Sequence, residues 1–385
     1  MSRPACYAPW ITTYELSNGD IVPCCEYNGN TPVISTNKQV SLEDRFEHPN
    51  MVKLKDQFLT SDVLPMACTN CHKAEKAGNK SLRQIYTTVA ERPPPTSNRE
   101  PSPLFDPAKF VLLSLDYRES NLCNFSCKMC GPMLSSTHAK IDGLYGKTGI
   151  LKNPHKLQMY LDKLDDVEIV NFLGGEPTLT AAMFTTLKEI RKRNLQHQME
   201  VNIVTNGSLL QRNEDKLLPL LTGFAKVDIS ISLDVIGDQH DFWRSNNTWK
   251  TIEENCNRIY EWKQQHSNIH CSTRTAISWP TAYASRFLFD KFKDFSDITQ
   301  RWNLVTSPVG LCITQLPQET LNDLVEWWSD YPEVQHVFKN TISNRNESKL
   351  SQEKHMMLRH DKWHNTNFVD AFPEFADFYN KIILE

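Results

Sequence analysis

Six short runs of apolar, β-branched and aromatic residues, separated by text with helical spacing, constrain this chain more than any other feature. They are Phe110–Asp116, Val167–Leu173, Val201–Thr205, Lys226–Leu233, His270–Ile277 and Trp302–Thr306. Helical periodicity falls between them, as at Ala181–Arg193, Trp249–Gln265 and Ala284–Phe292. Strands that alternate with helices pair in parallel, because each crossover helix returns the chain to the same end of the sheet. The spacing predicts an α/β fold with a parallel sheet, open or closed into a partial barrel, over residues 110–310.

The flanks read differently. Glu91–Lys109, ERPPPTSNREPSPLFDPAK, carries six prolines and few apolar residues, so residues 91–109 read as an extended linker or surface strap. Residues 1–90 form a small cysteine-bearing module with little helical periodicity, for which metal stapling is a sensible source of stability. Residues 311–385 turn to aromatic-rich helical text such as LNDLVEWWSDY and FVDAFPEFADFYNKI, and read as a helical C-terminal extension.

Composition narrows the function classes. A chain of 385 residues with 39% hydrophobic and 23% charged residues has a soluble, globular balance. A net charge of −4 gives no basic field for nucleic acid. The start MSRPACYAPW lacks the basic stretch and apolar run of a secretory signal, and no segment has the apolar length to span a bilayer, so the cytoplasm is the default expectation. Of eleven cysteines, eight lie in the first 130 residues, most in close sets: Cys24–Cys25, Cys68–Cys71 and Cys123–Cys127–Cys130. Close spacing in a reducing compartment favours metal ligation over disulfides. Cys256, Cys271 and Cys312 are scattered and read as small core residues.

Two motifs carry chemistry. Cys123-Asn-Phe-Ser-Cys127-Lys-Met-Cys130 follows the first strand directly. Three thiolates on one loop can ligate three irons of a cubane 4Fe–4S cluster and leave the fourth iron without a protein ligand. A zinc site that borrows a distant fourth ligand, such as His138, is the alternative. Gly174-Gly175-Glu176-Pro177 then ends the second strand. Its glycines let backbone approach a ligand, and Glu176 is an acceptor at the strand edge where α/β barrels place their active sites.

With both motifs in place, residues from about Phe110 to Pro308 resemble the core of the radical S-adenosylmethionine (radical SAM) superfamily. Thr205-Asn206-Gly207 ends the third strand, Ser232-Leu233-Asp234 the fourth, and His240-Asp-Phe-Trp-Arg244 is similar to an HDxxR element of members with extra clusters. The resemblance implies a partial (β/α)6 barrel and a unique iron that chelates the methionyl group of SAM. It implies that Gly174, Gly175 and Glu176 bind the SAM amine, and that Ser232 and Arg244 contact its carboxylate or ribose. Asn206 and Asp234 are further candidates, with a structural role at a strand end the alternative for each. Met129 stands where an aromatic residue is frequent and is implied to meet adenine through its backbone. The implied chemistry is reductive cleavage of SAM to a 5′-deoxyadenosyl radical that abstracts hydrogen, fed by an electron donor such as a flavodoxin or ferredoxin.

Upstream, Cys6-Tyr-Ala-Pro-Trp10, the run Gly19 to Cys24-Cys25, and Cys68-Thr-Asn-Cys71 resemble the auxiliary-cluster module called twitch, related to SPASM domains, although that module usually follows the barrel. The resemblance implies a second, fully ligated 4Fe–4S cluster on Cys6, Cys24, Cys68 and Cys71, with Cys25 as the alternative to Cys24. A four-cysteine zinc ribbon is the competing reading. An auxiliary module leans towards a peptide or protein substrate; a small metabolite or nucleoside, or a non-enzymatic iron–sulfur or zinc protein, are the alternatives. His355, His360 and His364 read as solvated helix surface, and Trp327–Trp328 as packing.

Overall fold

The structure, a computed structural model, describes residues 4–16, 19–28, 33–35, 40–61, 65–76, 80–91, 106–144, 156–293, 298–306, 308–342 and 351–384. Most of the proline-rich linker expected at 91–109 lies outside the described residues.

The strands are β1 (Thr12–Glu15), β2 (Ile21–Val22), β3 (Ser114–Arg118), β4 (Ile169–Leu173), β5 (Glu200–Thr205), β6 (Gln211–Arg212), β7 (Asp215–Lys216), β8 (Lys226–Ser232), β9 (Ile269–Ile277) and β10 (Ile298–Leu304). An eight-stranded sheet has the order β10-β9-β8-β5-β4-β3-β1-β2, and β6 and β7 pair as a separate hairpin. Pairing is parallel from β1 through β3 and β4 to β5, and again between β9 and β10, with β2 antiparallel at the edge. This is the mixed α/β architecture, with a mostly parallel sheet, that the alternating pattern predicts. The amino-terminal residues add something unforeseen: β1 pairs with β3, Thr12 opposite Ser114, and extends the sheet.

The chain divides into two compact units, Met1–Asn121 with Thr148–Ile203 and Gln211–Val227, and Leu122–Lys147 with Val204–Leu210 and Asp228–Glu385. In the first, β3 and β4 bury both faces, as strands of a parallel sheet do, and Tyr117 meets its register partner Phe172 edge to face at 6.3 Å. Trp10, Phe58, Tyr86 and Ile169 belong to one apolar cluster. The expectation of little helix here is corrected. Helices occupy Leu42–Glu47, Pro49–Thr60, Thr69–Lys76 and Leu82–Glu91. Each is too short for the apolar period to show, and local signals start them instead. Ser41 Oγ accepts the Asp44 amide at 3.0 Å, and Pro49 sits at a first-turn position where its fixed φ suits a helix. Arg45 and Lys156 both pair with half-buried Glu15, at 3.0 and 3.2 Å, and so tie two helices to β1.

The second unit has its own core, in which Trp243, Trp279, Trp328, Phe338, Phe368 and Phe372 are buried. Trp328 is packing, as read, with Nε1 donating to the Ala282 carbonyl at 2.9 Å. Cys271 and Cys312 are buried and Cys256 is half-buried. The last residues are helical, at Gln318–Trp327, Pro332–Ile342, Ser351–His364 and Ala376–Leu384. Among the described residues no helix is long and apolar enough to cross a membrane.

Candidate active site

In the second unit the Cys123–Cys130 loop is fixed at nearly every residue. The Ser126 and Lys128 amides donate to the carbonyls of Ser245 and Trp243, at 3.3 and 3.0 Å. Thr137 Oγ1, on helix Ser136–Ile141, donates to the Cys123 carbonyl at 2.6 Å, and Ser135 Oγ to that of Phe125 at 2.7 Å. Phe125 is sealed in the core, while the three cysteines stay half-buried. Inner residues anchor the loop and the sulfurs keep one side open, the arrangement a ligand loop needs. The Phe125 amide donates to Cys123 Sγ at 3.4 Å, a bond that favours the thiolate. Burial pushes the Cys127 thiol well up; Arg244 opposes this, and Cys130 and Cys123 reinforce it. Thiols that raise one another's pKa are stable as thiolates together only around a cation, so the donor set fits an iron–sulfur cluster.

Arg244 places a positive charge beside this loop. Its Nη1 lies 3.9 Å from Cys127 Sγ, and its Nε donates to Asp234 Oδ2 at 2.8 Å. Asp234 is fully buried, and its Oδ1 accepts the Ala276 amide at 2.8 Å. Asp234 therefore serves as the positioning residue for Arg244. Asn206 acts similarly: its Nδ2 donates to Asn124 Oδ1 at 2.9 Å, while Asn124 Nδ2 donates to Ser208 Oγ at 3.0 Å. Met129 packs against the apolar core of this unit, and Ser232 is half-buried at the end of β8.

In the first unit, Gly174 has φ 130°, and a Cβ there would stand 2.9 Å from the Ser120 carbonyl oxygen. Only glycine fits that approach, and the neighbouring Gly175 amide uses the same carbonyl at 3.0 Å. Glu176 is buried, and its Oε1 accepts from Thr178, at 3.1 Å from N and 2.7 Å from Oγ1, so that it caps the short helix Pro177–Leu179.

The same unit brings the amino-terminal cysteines together. Cys6, Cys24, Cys68, Cys71, Arg83 and Tyr86 line one cavity. Burial pushes Cys6 up to about 12, with Cys68 and Cys71 adding to it. Burial also raises Cys68 to about 11, with Cys71 next, and raises Cys24 well above its ordinary value, with Cys6 next. Cys25 is exposed and faces Asp116 and Glu26 instead. Of the pair, Cys24 thus joins the quartet. The Ala8 amide donates to Cys6 Sγ at 3.5 Å, repeating the arrangement at Cys123. Among the described residues, the one group of three or more metal-binding side chains gathered within 4.8 Å lies elsewhere.

The structure overturns the surface reading of the carboxy-terminal histidines. His360 is buried, and His364 Nε2 lies 2.8 Å from Ser126 Oγ. Between them Asp361 holds the buried ammonium of Lys128 at 2.7 Å. These contacts join positions more than 230 residues apart, and no local pattern announces them. The His355 side chain lies outside the described residues.

Residues 119–270 match the family model described as the Radical SAM superfamily, a stretch that holds both the Cys123–Cys130 loop and Arg244. No curated protein matches the chain. Among solved structures, "Native anSMEcpe with bound AdoMet" is 17% identical over 57% of this chain and 61% of that one, with a TM-score of 0.42. The same protein "with bound AdoMet and Kp18Cys peptide" is 19% identical over 56% of this chain and 60% of that one, with a TM-score of 0.41. SuiB of Streptococcus suis is 14% identical over 75% of this chain and 59% of its own, with a TM-score of 0.38. The chain thus spans about three fifths of the length of each.

Proposed function

We propose that this chain is a radical SAM enzyme acting on a peptide or protein, with a SAM-binding 4Fe–4S cluster on Cys123, Cys127 and Cys130. The observation that carries the reading is the anchored cysteine loop with the Arg244 guanidinium at Cys127, inside the stretch that matches the superfamily. Held there, the cluster and SAM would supply reductive one-electron chemistry for hydrogen abstraction, with the electron coming from a one-electron donor protein. The protein binds and orients. Arg244, set by Asp234, offers a planar fork to a carboxylate, with Ser232 as a second contact. Glu176 offers an acceptor to an ammonium, and Gly174 and Gly175 let backbone come close. Asn206 holds Asn124 within the cysteine loop, and Met129 presents backbone to adenine.

The peptide preference rests on the Cys6, Cys24, Cys68 and Cys71 quartet, read as the ligands of a second 4Fe–4S cluster. Its support is that these four cysteines line one cavity. The test is deuterium transfer: peptides from cells grown on deuterated amino acids are incubated anaerobically with reduced enzyme and SAM, and 5′-deoxyadenosine is analysed by mass spectrometry. Deuterium is expected in it. Transfer from a small-metabolite fraction alone would assign the substrate to that class instead.

A further inference from the structure

Within the second unit, a gathering of metal-binding side chains lies outside both cysteine sets. His138, on helix Ser136–Ile141, and Asp142, just past its end, stand one turn apart, and His360 meets them from helix Ser351–His364. One ligand atom from each lies within 4.8 Å of the others. Both imidazoles are only 1% exposed, and their ring centroids are 4.3 Å apart. His138 Nδ1 lies 3.2 Å from Asp142 Oδ2, whereas His138 Nε2 and both ring nitrogens of His360 have no hydrogen-bond partner.

Buried polar atoms in folded proteins are satisfied almost without exception, because each unmet one costs about 1–3 kcal/mol. An unmet nitrogen on each of two facing imidazoles, with a carboxylate beside them, suits a ligand that takes one lone pair from each ring and balances a negative charge. Both rings are buried, and burial favours the neutral form in which an imidazole ligates a metal. Basic side chains also face the group. Arg359 Nη2 lies 3.3 Å from Asp142 Oδ1, and Lys128 and His364 act on His360. Lys128 is neutralised by Asp361, and Arg359 is more than half exposed and free to turn to water.

We propose that His138, Asp142 and His360 bind one divalent transition-metal ion, of which zinc fits best. Two imidazoles and one carboxylate are a recurrent three-residue zinc set that leaves a fourth position for water. Nitrogen donors disfavour magnesium and calcium. The ion has a mechanical consequence. His138 belongs to the helix whose Thr137 holds the Cys123 carbonyl, and His360 to the helix whose Asp361 and His364 hold Lys128 and Ser126 of the same loop. Ligation pins the carboxy-terminal helix to the cysteine loop. The proposal stands on these residues alone and is independent of what the cysteines hold.

The full chain, purified anaerobically, is incubated with zinc chloride, desalted and analysed for zinc and iron, beside His360→Ala, His138→Asn and the volume-conserving His360→Gln. The parent is expected to retain about one zinc per chain more than each variant, with iron equal in all four. Added zinc should raise the thermal midpoint of the parent and not of the variants, since a ligand stabilises only the folded state that binds it. Zinc equal in parent and iron-replete variants would overturn the site. So would a parent that keeps no zinc after desalting, whatever the variants do.

Discussion

Arg244 Nη1 stands 3.9 Å from the sulfur of Cys127, and it is kept there by the ion pair of the same guanidinium with buried Asp234. A fixed positive charge at a cluster ligand favours the reduced state. Arg244→Gln should shift the reduction potential of the cluster downward without changing iron content, as read by anaerobic redox titration, and Arg244→Lys should recover part of the shift. Asp234→Asn leaves a buried guanidinium unpaired, at a cost of about 3–5 kcal/mol. Its thermal midpoint should fall well below that of either Arg244 variant.

The glycine–glycine–glutamate turn separates structure from ligand binding. Gly174→Ala forces a Cβ against the Ser120 carbonyl at a left-handed φ, a strain of about 1–3 kcal/mol, and should lower the thermal midpoint. Glu176→Ala loses a helix cap, worth about 0.5–2 kcal/mol. If Glu176 also receives the SAM amine, calorimetry should show SAM binding about ten- to hundredfold weaker, the equivalent of a charge-assisted bond of about 1.5–3 kcal/mol. Unchanged affinity in a folded Glu176→Ala protein would leave it as a cap alone.

Cys24 and Cys25 are neighbours with different surroundings, since Cys24 lines the four-cysteine cavity and Cys25 is exposed. In an iron assay, Cys25→Ala should match the parent. Cys24→Ala should lose up to about four irons per chain, the content of one cubane. Zinc found in the quartet in place of iron would make it a structural ribbon.

His240 gives the site a pH signature. Burial first, and Arg244 second, lower it from 6.5 to about 3, and its Nε2 has no hydrogen-bond partner. Between those pH values the unfolded chain takes up a proton that the folded one refuses. Its contribution is therefore complete above pH 6.5 and is lost as pH falls towards 3, at about 1.4 kcal/mol per unit. The thermal midpoint of the parent should drop more steeply from pH 7 to 5 than that of His240→Gln.

Legibility followed the range of each interaction. Helix Trp249–Gln265 was readable end to end, and β9 to within one residue, because apolar period alone places them. By contrast, β10 begins at Ile298 rather than Trp302, since the polar stretch Thr299–Arg301 is made a strand by its register with β9. The cysteine sets show in spacing, but the partnership of Arg244 with Asp234 does not, because their separation of ten residues carries no signal of the contact. His360 gives no such signal, because a histidine on a polar helix looks solvated until its tertiary partner is known. His138, more than two hundred residues earlier, is that partner.

The central claim is tested most directly by SAM cleavage. The protein, reconstituted anaerobically with iron and sulfide and reduced with dithionite, is given SAM, and 5′-deoxyadenosine is quantified beside bound iron. The parent should produce it, and the Cys123→Ala, Cys127→Ala, Cys130→Ala triple variant should produce none while keeping about four irons per chain in the amino-terminal quartet. Equal 5′-deoxyadenosine from the triple variant, or none from an iron-replete parent, would contradict the account.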